Sequence, residues 1–282
     1  MPDLSAVRTA FATESGRVAR SVGDAVRLNV PVPGLDWNAG QLTAHLCAVY
    51  DIYATALCGE LPDGWSDLVG VTDTAGAAQT LREWVTASNA VAVRSTAFAS
   101  PAQAADALTG AAGRLLDALD GHTDPHESRP TPWYGPEVTR TVGTLAALAV
   151  SETLVHGYDL AGAFGGDTRI PERPAAAVAP TVMSQMLPLM LDRERARRIS
   201  GSIEVRVRGG TPFVLRVAHG TAQSAPADGR TADCVVSLNP CSALLIGFRR
   251  QSVGRAVLTG RIIAYGRRPW RGTWLHTLFP SP

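Results

Sequence analysis

The period of the hydrophobic pattern changes after Gly165-Gly166, and this change constrains the fold more than any other feature of the sequence. Upstream, apolar residues recur three, four or seven positions apart, which places them on one face of a helix. The first such series consists of Leu4, Val7, Phe11, Val18 and Val22. Downstream, apolar and charged residues alternate over 203–207 and apolar residues recur at every second position after Gly209-Gly210, which is typical of a β-hairpin. We therefore predict an α+β chain with a helical domain at 1–166 and a small α+β domain at 172–282.

Capping and breaking residues set the bounds of the predicted elements. Asn38 and Gln41 have the spacing of a capping box that begins the second helix, and Cys58-Gly59 ends it. The third helical region covers 75–120 with a break near Pro101. The other predicted elements are helices at 137–164, 171–191 and 239–248 and strands at 203–207, 213–217, 234–238 and 257–265.

The fourth helix, at 137–164, carries polar residues where a core helix needs apolar ones. Its inward stripe begins with Val138, Val142, Leu145 and Ala149. Glu152, His156 and Asp159 continue the same stripe, because spacings of three and four keep residues on one helical face. Burying a charge without a partner is expensive. Some interaction must therefore compensate for two acids and a histidine in the interior of the bundle.

The second helix poses the same problem at His45, which lies on a stripe otherwise made of apolar residues. Glu152 and His156 are four residues apart, about 40° around an ideal helix, and can reach one point. Together with His45 they supply two imidazoles and one carboxylate, which leaves coordination positions open as catalytic metal sites do. We predict a metal site at His45, Glu152 and His156, with Asp159 as a partner of a ligand or an anchor for a loop rather than a fourth ligand.

Purely structural interpretations of these residues, without a metal, stay open at this point. A lone inward histidine is commonly a satisfied core residue, and Glu152 with His156 alone is compatible with a buried ion pair. His122 and His126 also have a metal-compatible spacing, but they lie in a Gly/Pro-rich loop. Cys47 lies about 200° from His45 around the helix and is expected to pack between helices.

Charge and cysteine usage exclude several classes of protein. The chain has 26 basic and 25 acidic residues, a net charge of +1, which gives no electrostatic case for nucleic acid or an anionic membrane. All 26 cations are arginine, a bias typical of GC-rich genomes. The four cysteines form no Cys-x-x-Cys pair, so neither a disulfide framework nor a cysteine zinc site is indicated. With no signal-peptide core or membrane-length apolar run, we expect a cytoplasmic protein.

Two short segments carry a resemblance to a known family. They are Leu42-Thr-Ala-His45-Leu46, preceded by Pro33-Gly-Leu-Asp-Trp37, and Glu152-Thr-Leu-Val-His156-Gly-Tyr-Asp159-Leu160. At these residues the sequence resembles the mycothiol-dependent maleylpyruvate isomerase family, in which the first segment supplies one metal-binding His and the second a Glu and a His. The resemblance implies a DinB-like four-helix bundle followed by a sterol-carrier-protein-like α+β domain, which 201–279 resembles.

The resemblance also implies a chemistry. It points to a divalent metal, with zinc favoured by the ligand types, and to mycothiol as co-substrate. A metal-activated thiolate would serve cis–trans isomerisation or thiol transfer on a small carboxylate-bearing or natural-product substrate. The family's isomerase also uses an arginine of its last domain, for which Arg261 is the best match by position and Arg255 and Arg249 are the alternatives. We expect the two domains to close over one pocket with the metal on the bundle side.

Two other classes of function stay open. The chain could be a non-catalytic protein that binds a small molecule or lipid in its second domain, or a thiol-independent metal hydrolase. Metal analysis separates the first from an enzyme, and activity without added thiol identifies the second. The expected partners are a small-molecule substrate and a low-molecular-weight thiol, with no nucleic acid and no membrane, for a monomer or small homo-oligomer.

Overall fold

The chain forms two compact units, Met1–Ile170 and Pro171–Pro282. The structure, a computed structural model, describes residues 3–61, 89, 93, 97–135 and 137–279. The predicted α+β class, with helices first and a sheet after them, is confirmed.

Among the residues that the structure describes, the first unit has four long helices packed as a bundle. They are α1 (Leu4–Gly23), α2 (Ala39–Cys58), α3 (Pro101–Asp120) and α4 (Val142–Phe164). Both α1 and α2 pack against α3 and against α4. The core between them is apolar along most of its length, which agrees with the helical periodicity of the sequence.

Two contacts fix the direction of α3 relative to α2. Arg114 forms an ion pair with Asp51 at 2.8 Å, and one turn and a half further along α2 the Leu57 carbonyl lies 3.1 Å from His122 Nε2. Along α2 and along α3 the residue numbers of these contacts increase in the same direction, so the two neighbouring helices run parallel. Most of the predicted third helical region before Pro101 lies outside the described residues.

Local capping explains which helix bounds were predicted and which were not. The capping box of Asn38 and Gln41 is confirmed, with both reciprocal hydrogen bonds present. The predicted start of the fourth helix at Glu137 is wrong, because Thr139–Thr141 (β2) pairs with Ser128–Pro130 (β1) in a short antiparallel ladder. The Thr141 side chain then accepts from Thr144 N and begins α4 at Val142.

The second unit is a five-stranded sheet with helices. Its strands are β3 (Ser200–Val207), β4 (Phe213–Ala218), β5 (Thr221–Pro226), β6 (Cys234–Leu238) and β7 (Ile262–Tyr265), in the order β5-β4-β3-β6-β7. Its α-helices are α5 (Glu172–Met186), α6 (Arg193–Ala196), α7 (Pro240–Gly247), α8 (Val253–Leu258) and α9 (Trp274–Thr277). The predicted β3–β4 hairpin and the strand at 234–238 are confirmed, the latter parallel to β3.

Two predictions in this unit are wrong in part, and one strand was not predicted. Residues 221–226 form a strand that their small and polar side chains did not indicate. Residues 253–258 are helical where a strand was predicted from 257, because Ser252 caps α8 and Gly260, at φ 65°, ends it. The helix predicted to reach 191 ends at Met186 and continues as a 3₁₀ turn over Leu187–Met190, which contains Pro188. Among the described residues, no helix is long and apolar enough to cross a membrane.

Candidate metal centre

The bundle brings the three predicted ligand residues to one point. His45 lies in the first half of α2, and Glu152 and His156 lie one turn apart in α4. One ligand atom from each residue lies within 4.8 Å of the others. Both histidines are buried, at 4% and 5% exposure, so the cluster faces the interior as the stripe pattern predicted.

The Glu152 carboxylate lies between the two imidazoles. Its Oε2 atom is 3.1 Å from His156 Nε2 and 3.7 Å from His45 Nε2. The two rings are nearly perpendicular, with centroids 5.0 Å apart, and the Trp37 ring lies 5.2 Å from the His45 ring, centroid to centroid. Both Nε2 atoms therefore point at the same small region beside the carboxylate.

Asp159 orients the His156 ring from behind. Its Oδ2 atom lies 3.0 Å from His156 Nδ1, and the carboxylate is buried. A hydrogen bond donated by Nδ1–H to a carboxylate leaves Nε2 as the ring atom available for a ligand bond, and such partners raise the basicity of metal-bound histidines. Asp159 thus contacts one of the three clustered residues, and its role beside a metal ligand stays a prediction.

Hydrogen bonds within the cluster outweigh the effect of burial on the pKa values of His156 and Glu152. Burial opposes protonation of His156, but hydrogen bonds to Asp159 and Glu152 outweigh it and raise the pKa of His156 to about 9. Burial likewise opposes ionisation of Glu152, but the bonds from His156 and His45 lower its pKa to about 2. Without a cation, the two carboxylates thus draw a proton onto His156 at neutral pH.

These residues fit a divalent cation. Two imidazole nitrogens and a carboxylate oxygen converge, an outer carboxylate holds one ring, and the negative charge of Glu152 and Asp159 needs a positive charge in this buried place.

Metal affinity should rise with pH. A cation must displace the proton from His156 Nε2, and that proton is held with a pKa of about 9. Between pH 6.5 and 8.5 we expect the apparent affinity to increase about tenfold per pH unit, with release of about one proton per cation at pH 7. Competition against a chelating indicator at several pH values measures the slope, and an affinity that is flat over this range would contradict the prediction.

A group of aromatic residues next to the cluster was not predicted. Tyr53 follows His45 by eight residues on the same stripe of α2, and its ring stacks on Trp133 at 5.6 Å between centroids. The hydroxyls of Tyr53 and Tyr134 are 3.4 Å apart. The helical spacing of Tyr53 from His45 could have placed it on the buried face of α2. Trp133 and Tyr134 lie in a short 3₁₀ turn, whose path no periodicity predicts.

The other residues considered from sequence are not members of the cluster of three donors. His122 bonds to Glu127 and to the Leu57 carbonyl, which secures the end of α2. Cys47 is buried, and burial together with the charge of Asp51 raises the pKa of its thiol to about 12. Arg261 lies in the second unit just before β7, with an exposed side chain.

A four-helix bundle with an inward His/Glu/His cluster, followed by an α+β unit, defines the class of protein. Residues 9–161, more than half of the chain, match the family described as the mycothiol maleylpyruvate isomerase N-terminal domain. The chain belongs to this family. The likeness of 201–279 to sterol carrier proteins stays a prediction, because the family match ends before it.

Solved structures show the same fold over both units. Two crystal structures of the mycothiol-dependent maleylpyruvate isomerase, one of a histidine-to-alanine mutant, share 14% and 13% sequence identity with this chain. Each has a TM-score of 0.52 and covers 93% of this chain and 92% of the other. No curated protein matches the sequence.

Proposed function

We propose that the protein is a mycothiol-dependent metalloenzyme that carries out cis–trans isomerisation or thiol transfer on a small substrate. His45, Glu152 and His156 would hold a divalent cation, zinc by ligand type. The observation that carries the proposal is the convergence of these three donors within 4.8 Å in the interior of a bundle of this family.

A bound divalent cation lowers the pKa of a thiol from near 8.5 and so supplies a thiolate at neutral pH. The protein's own residues would bind and orient this cation. Glu152 and the Nε2 atoms of His45 and His156 would be its ligands, and Asp159 would keep the His156 ring in the tautomer that leaves Nε2 free to bind. The Trp37 ring lies beside His45.

The two reactions share their first step. Sulfur adds to a carbon of a cis double bond conjugated to a carbonyl, which leaves a single bond free to rotate. In an isomerase, elimination of the thiolate then restores the double bond in the trans geometry. In a transferase that adds the thiol, the carbon next to the carbonyl takes up a proton from water and the thioether persists. A transferase that displaces a leaving group forms the C–S bond as the bond to that group breaks.

One assay tests the proposal and separates the reactions. The metal-loaded protein is incubated with maleylpyruvate and mycothiol, and the products are resolved by chromatography. A trans isomer with thiol recovered identifies an isomerase, and a stable mycothiol thioether formed with this or another electrophile identifies a transferase. A purified protein that takes up no divalent metal and changes no electrophile in the presence of mycothiol would refute the proposal.

We propose that the Arg261 guanidinium binds a carboxylate of the substrate. Its backbone carbonyl is fixed by Asn239 N at 2.8 Å and its side chain is exposed. We expect Arg261→Ala to raise KM or lower kcat with metal content unchanged. The lost charge-assisted hydrogen bond is worth roughly 1.5–3 kcal/mol, or about 10- to 150-fold in kcat/KM. The matched control is Arg230→Ala, another exposed arginine of the second unit. Unchanged kinetics for Arg261→Ala would assign the role to Arg255 or Arg249.

A further inference from the structure

Large apolar side chains that face solvent are concentrated in one short segment of the second unit. Among the described residues, six large apolar side chains are exposed, and five of them lie within 257–270. They are Val257 and Leu258 of α8, Ile263 and Tyr265 of β7, and Trp270 of the 3₁₀ turn that follows β7. Leu258 is 89% exposed and Trp270 is 65% exposed. A single apolar residue at a surface is ordinary, but several around one strand indicate an interaction site.

The strand β7 has one unpaired edge. It is the last strand in the order β5-β4-β3-β6-β7, so β6 is its only neighbour in the sheet. Asn239 N donates to the Arg261 carbonyl at 2.8 Å, which makes these two residues a hydrogen-bonded pair of the antiparallel ladder. Because such pairs alternate along the ladder, the N–H and C=O groups of Ile262 and Ala264 point away from β6. These four groups have no hydrogen-bond partner among the described residues.

The segment around this edge is strongly basic, although the whole chain is nearly neutral. Residues 234–282 contain seven arginines and no acidic residue, whereas the preceding residues hold all 25 acidic residues and the other 19 basic ones. Arg261 directly precedes β7, and Arg267 and Arg268 follow it closely. Asp233 pairs with Arg267 at 3.2 Å and Arg268 at 3.8 Å, and it also binds Arg271. One carboxylate thus faces three guanidinium groups, and positive charge is left in excess at the edge.

We propose that the edge of β7 binds an extended, acidic segment of a partner protein, which adds to the sheet as a sixth strand. The backbone of that segment would pair with the outward groups of Ile262 and Ala264. In strand addition, main-chain hydrogen bonds give affinity and side chains give specificity. Apolar side chains in the centre of the segment would contact Ile263 and Tyr265, and acidic side chains at its ends would meet the arginines that flank β7. This inference concerns binding alone and does not depend on the proposed reaction.

Other occupants fit this edge less well. A second copy pairing antiparallel at β7 would bring the arginines at one end of β7 beside those at the other end of the second copy's β7, and like charges directly opposite each other are destabilising. A bilayer would accept the apolar side chains, but open sheet edges do not occur within its hydrocarbon region, because lipid tails cannot satisfy the backbone groups. Nucleic acid would meet the positive charge and would leave Val257, Leu258 and Ile263 without apolar contacts.

A short edge strand flanked by charged residues is also a common protection against uncontrolled pairing. That protection repels strands of the same sign and leaves the edge open to a strand of opposite charge. The exposed Leu258 and Trp270 are not part of such a protection, because apolar side chains beside an edge promote association. The combination therefore favours an edge that selects its partner.

Backbone amide hydrogen exchange, followed residue by residue by NMR in the full-length protein, tests the proposal. The probe is the acetylated octapeptide DEVTVTED, which has acidic ends and a strand-forming centre and is added at millimolar concentration. We expect the outward amides of Ile262 and Ala264 to exchange at least about tenfold more slowly, because each becomes a hydrogen-bond donor. The inward amides of Ile263 and Tyr265, already bonded to β6, should change by less than about twofold.

Two further peptides separate charge from strand formation. KKVTVTKK keeps the centre and reverses the charge, whereas DEPTPTED keeps the charge and lacks two of the N–H groups that a strand needs. Neither should protect Ile262 and Ala264. Equal protection by KKVTVTKK and DEVTVTED would overturn the acidic partner, and unchanged exchange with DEVTVTED would overturn strand addition.

The contribution of charge is tested with two double variants. We expect Arg267→Gln combined with Arg268→Gln to weaken the binding of labelled DEVTVTED about 2- to 25-fold in fluorescence anisotropy, because each exposed ion pair contributes up to about fivefold. The matched control is Arg216→Gln combined with Arg230→Gln, two exposed arginines of the same unit that likewise share one aspartate, Asp228. The control should change the affinity less than about twofold. Equal losses in both double variants would overturn the assignment of the site to β7.

Two more samples identify the other occupants by the same amides. The first is the protein alone at increasing concentration, and slower exchange of Ile262 and Ala264 there would assign the edge to a second copy. The second contains vesicles of phosphatidylglycerol, and protection by the vesicles with none by DEVTVTED would assign the surface to a membrane. Either result would overturn the proposal.

Discussion

His156→Ala removes the divalent metal from the protein while the first unit stays helical. The ring supplies one of only two nitrogen donors in the cluster, and its Nε2 lies 3.1 Å from the carboxylate that supplies the third. Loss of a hydrogen-bonding partner of a ligand costs about 10–100-fold in metal affinity, so loss of the ligand itself should cost at least about 100-fold. Alanine is the best helix former, and the apolar part of the α4 stripe (Val142, Leu145 and Ala149) stays buried, so α4 should persist.

A graded set of variants makes this result specific. His45→Ala should lose metal as His156→Ala does, whereas Asp159→Ala should retain binding that is weaker by about 10–100-fold. His122→Ala is the matched control, because it removes a largely buried histidine of the same unit that bonds Glu127 and the Leu57 carbonyl instead. Metal is measured by elemental analysis and helix content by circular dichroism. Full occupancy in both His45→Ala and His156→Ala would show that the cation is held elsewhere.

The cluster was predictable because helical periodicity reports which face of a helix is buried. Three polar residues on otherwise apolar stripes could be compensated only by each other or by a ligand, and this argument needs no knowledge of how the helices are arranged. It identified His45, Glu152 and His156 as neighbours and Asp159 as their support. It did not give the perpendicular arrangement of the two rings, which depends on the crossing of α2 and α4.

Residues outside regular periodicity were not predictable in the same way. Tyr134 reaches its place through a 3₁₀ turn, Pro132–Tyr134, that follows the short strand β1. The start of α4 was missed because β1 and β2 are only three residues long, and their pairing is a tertiary contact rather than a local pattern. Strand β5 escaped prediction for a related reason, since its small polar residues are ordered by the neighbouring β4.

Turnover should require an added low-molecular-weight thiol, because no cysteine of the described residues lies in the cluster. Cys47 is two residues from His45 but faces Asp51 and Arg114, and burial helps raise the pKa of its thiol to about 12. At pH 7 that leaves a thiolate fraction on the order of 10⁻⁵. Burial also raises the pKa of Cys234 and Cys241, both in the second unit, and Cys58 is exposed at the end of α2.

We therefore expect turnover at the level of the uncatalysed reaction without thiol and full turnover with mycothiol in the metal-loaded protein. Replacing all four cysteines by alanine should leave thiol-dependent kcat within about threefold, provided that circular dichroism shows an unchanged fold, because no cysteine is among the three clustered donors and burial raises the pKa of three of the four thiols. The matched comparison is the single variant Cys58→Ala, whose thiol is exposed and packs in no core. The proposed reaction takes its sulfur from outside the chain, since a divalent cation activates a thiol by lowering its pKa and does not supply the thiol itself. Full turnover in the complete absence of thiol would instead identify a metal-dependent hydrolase that uses water.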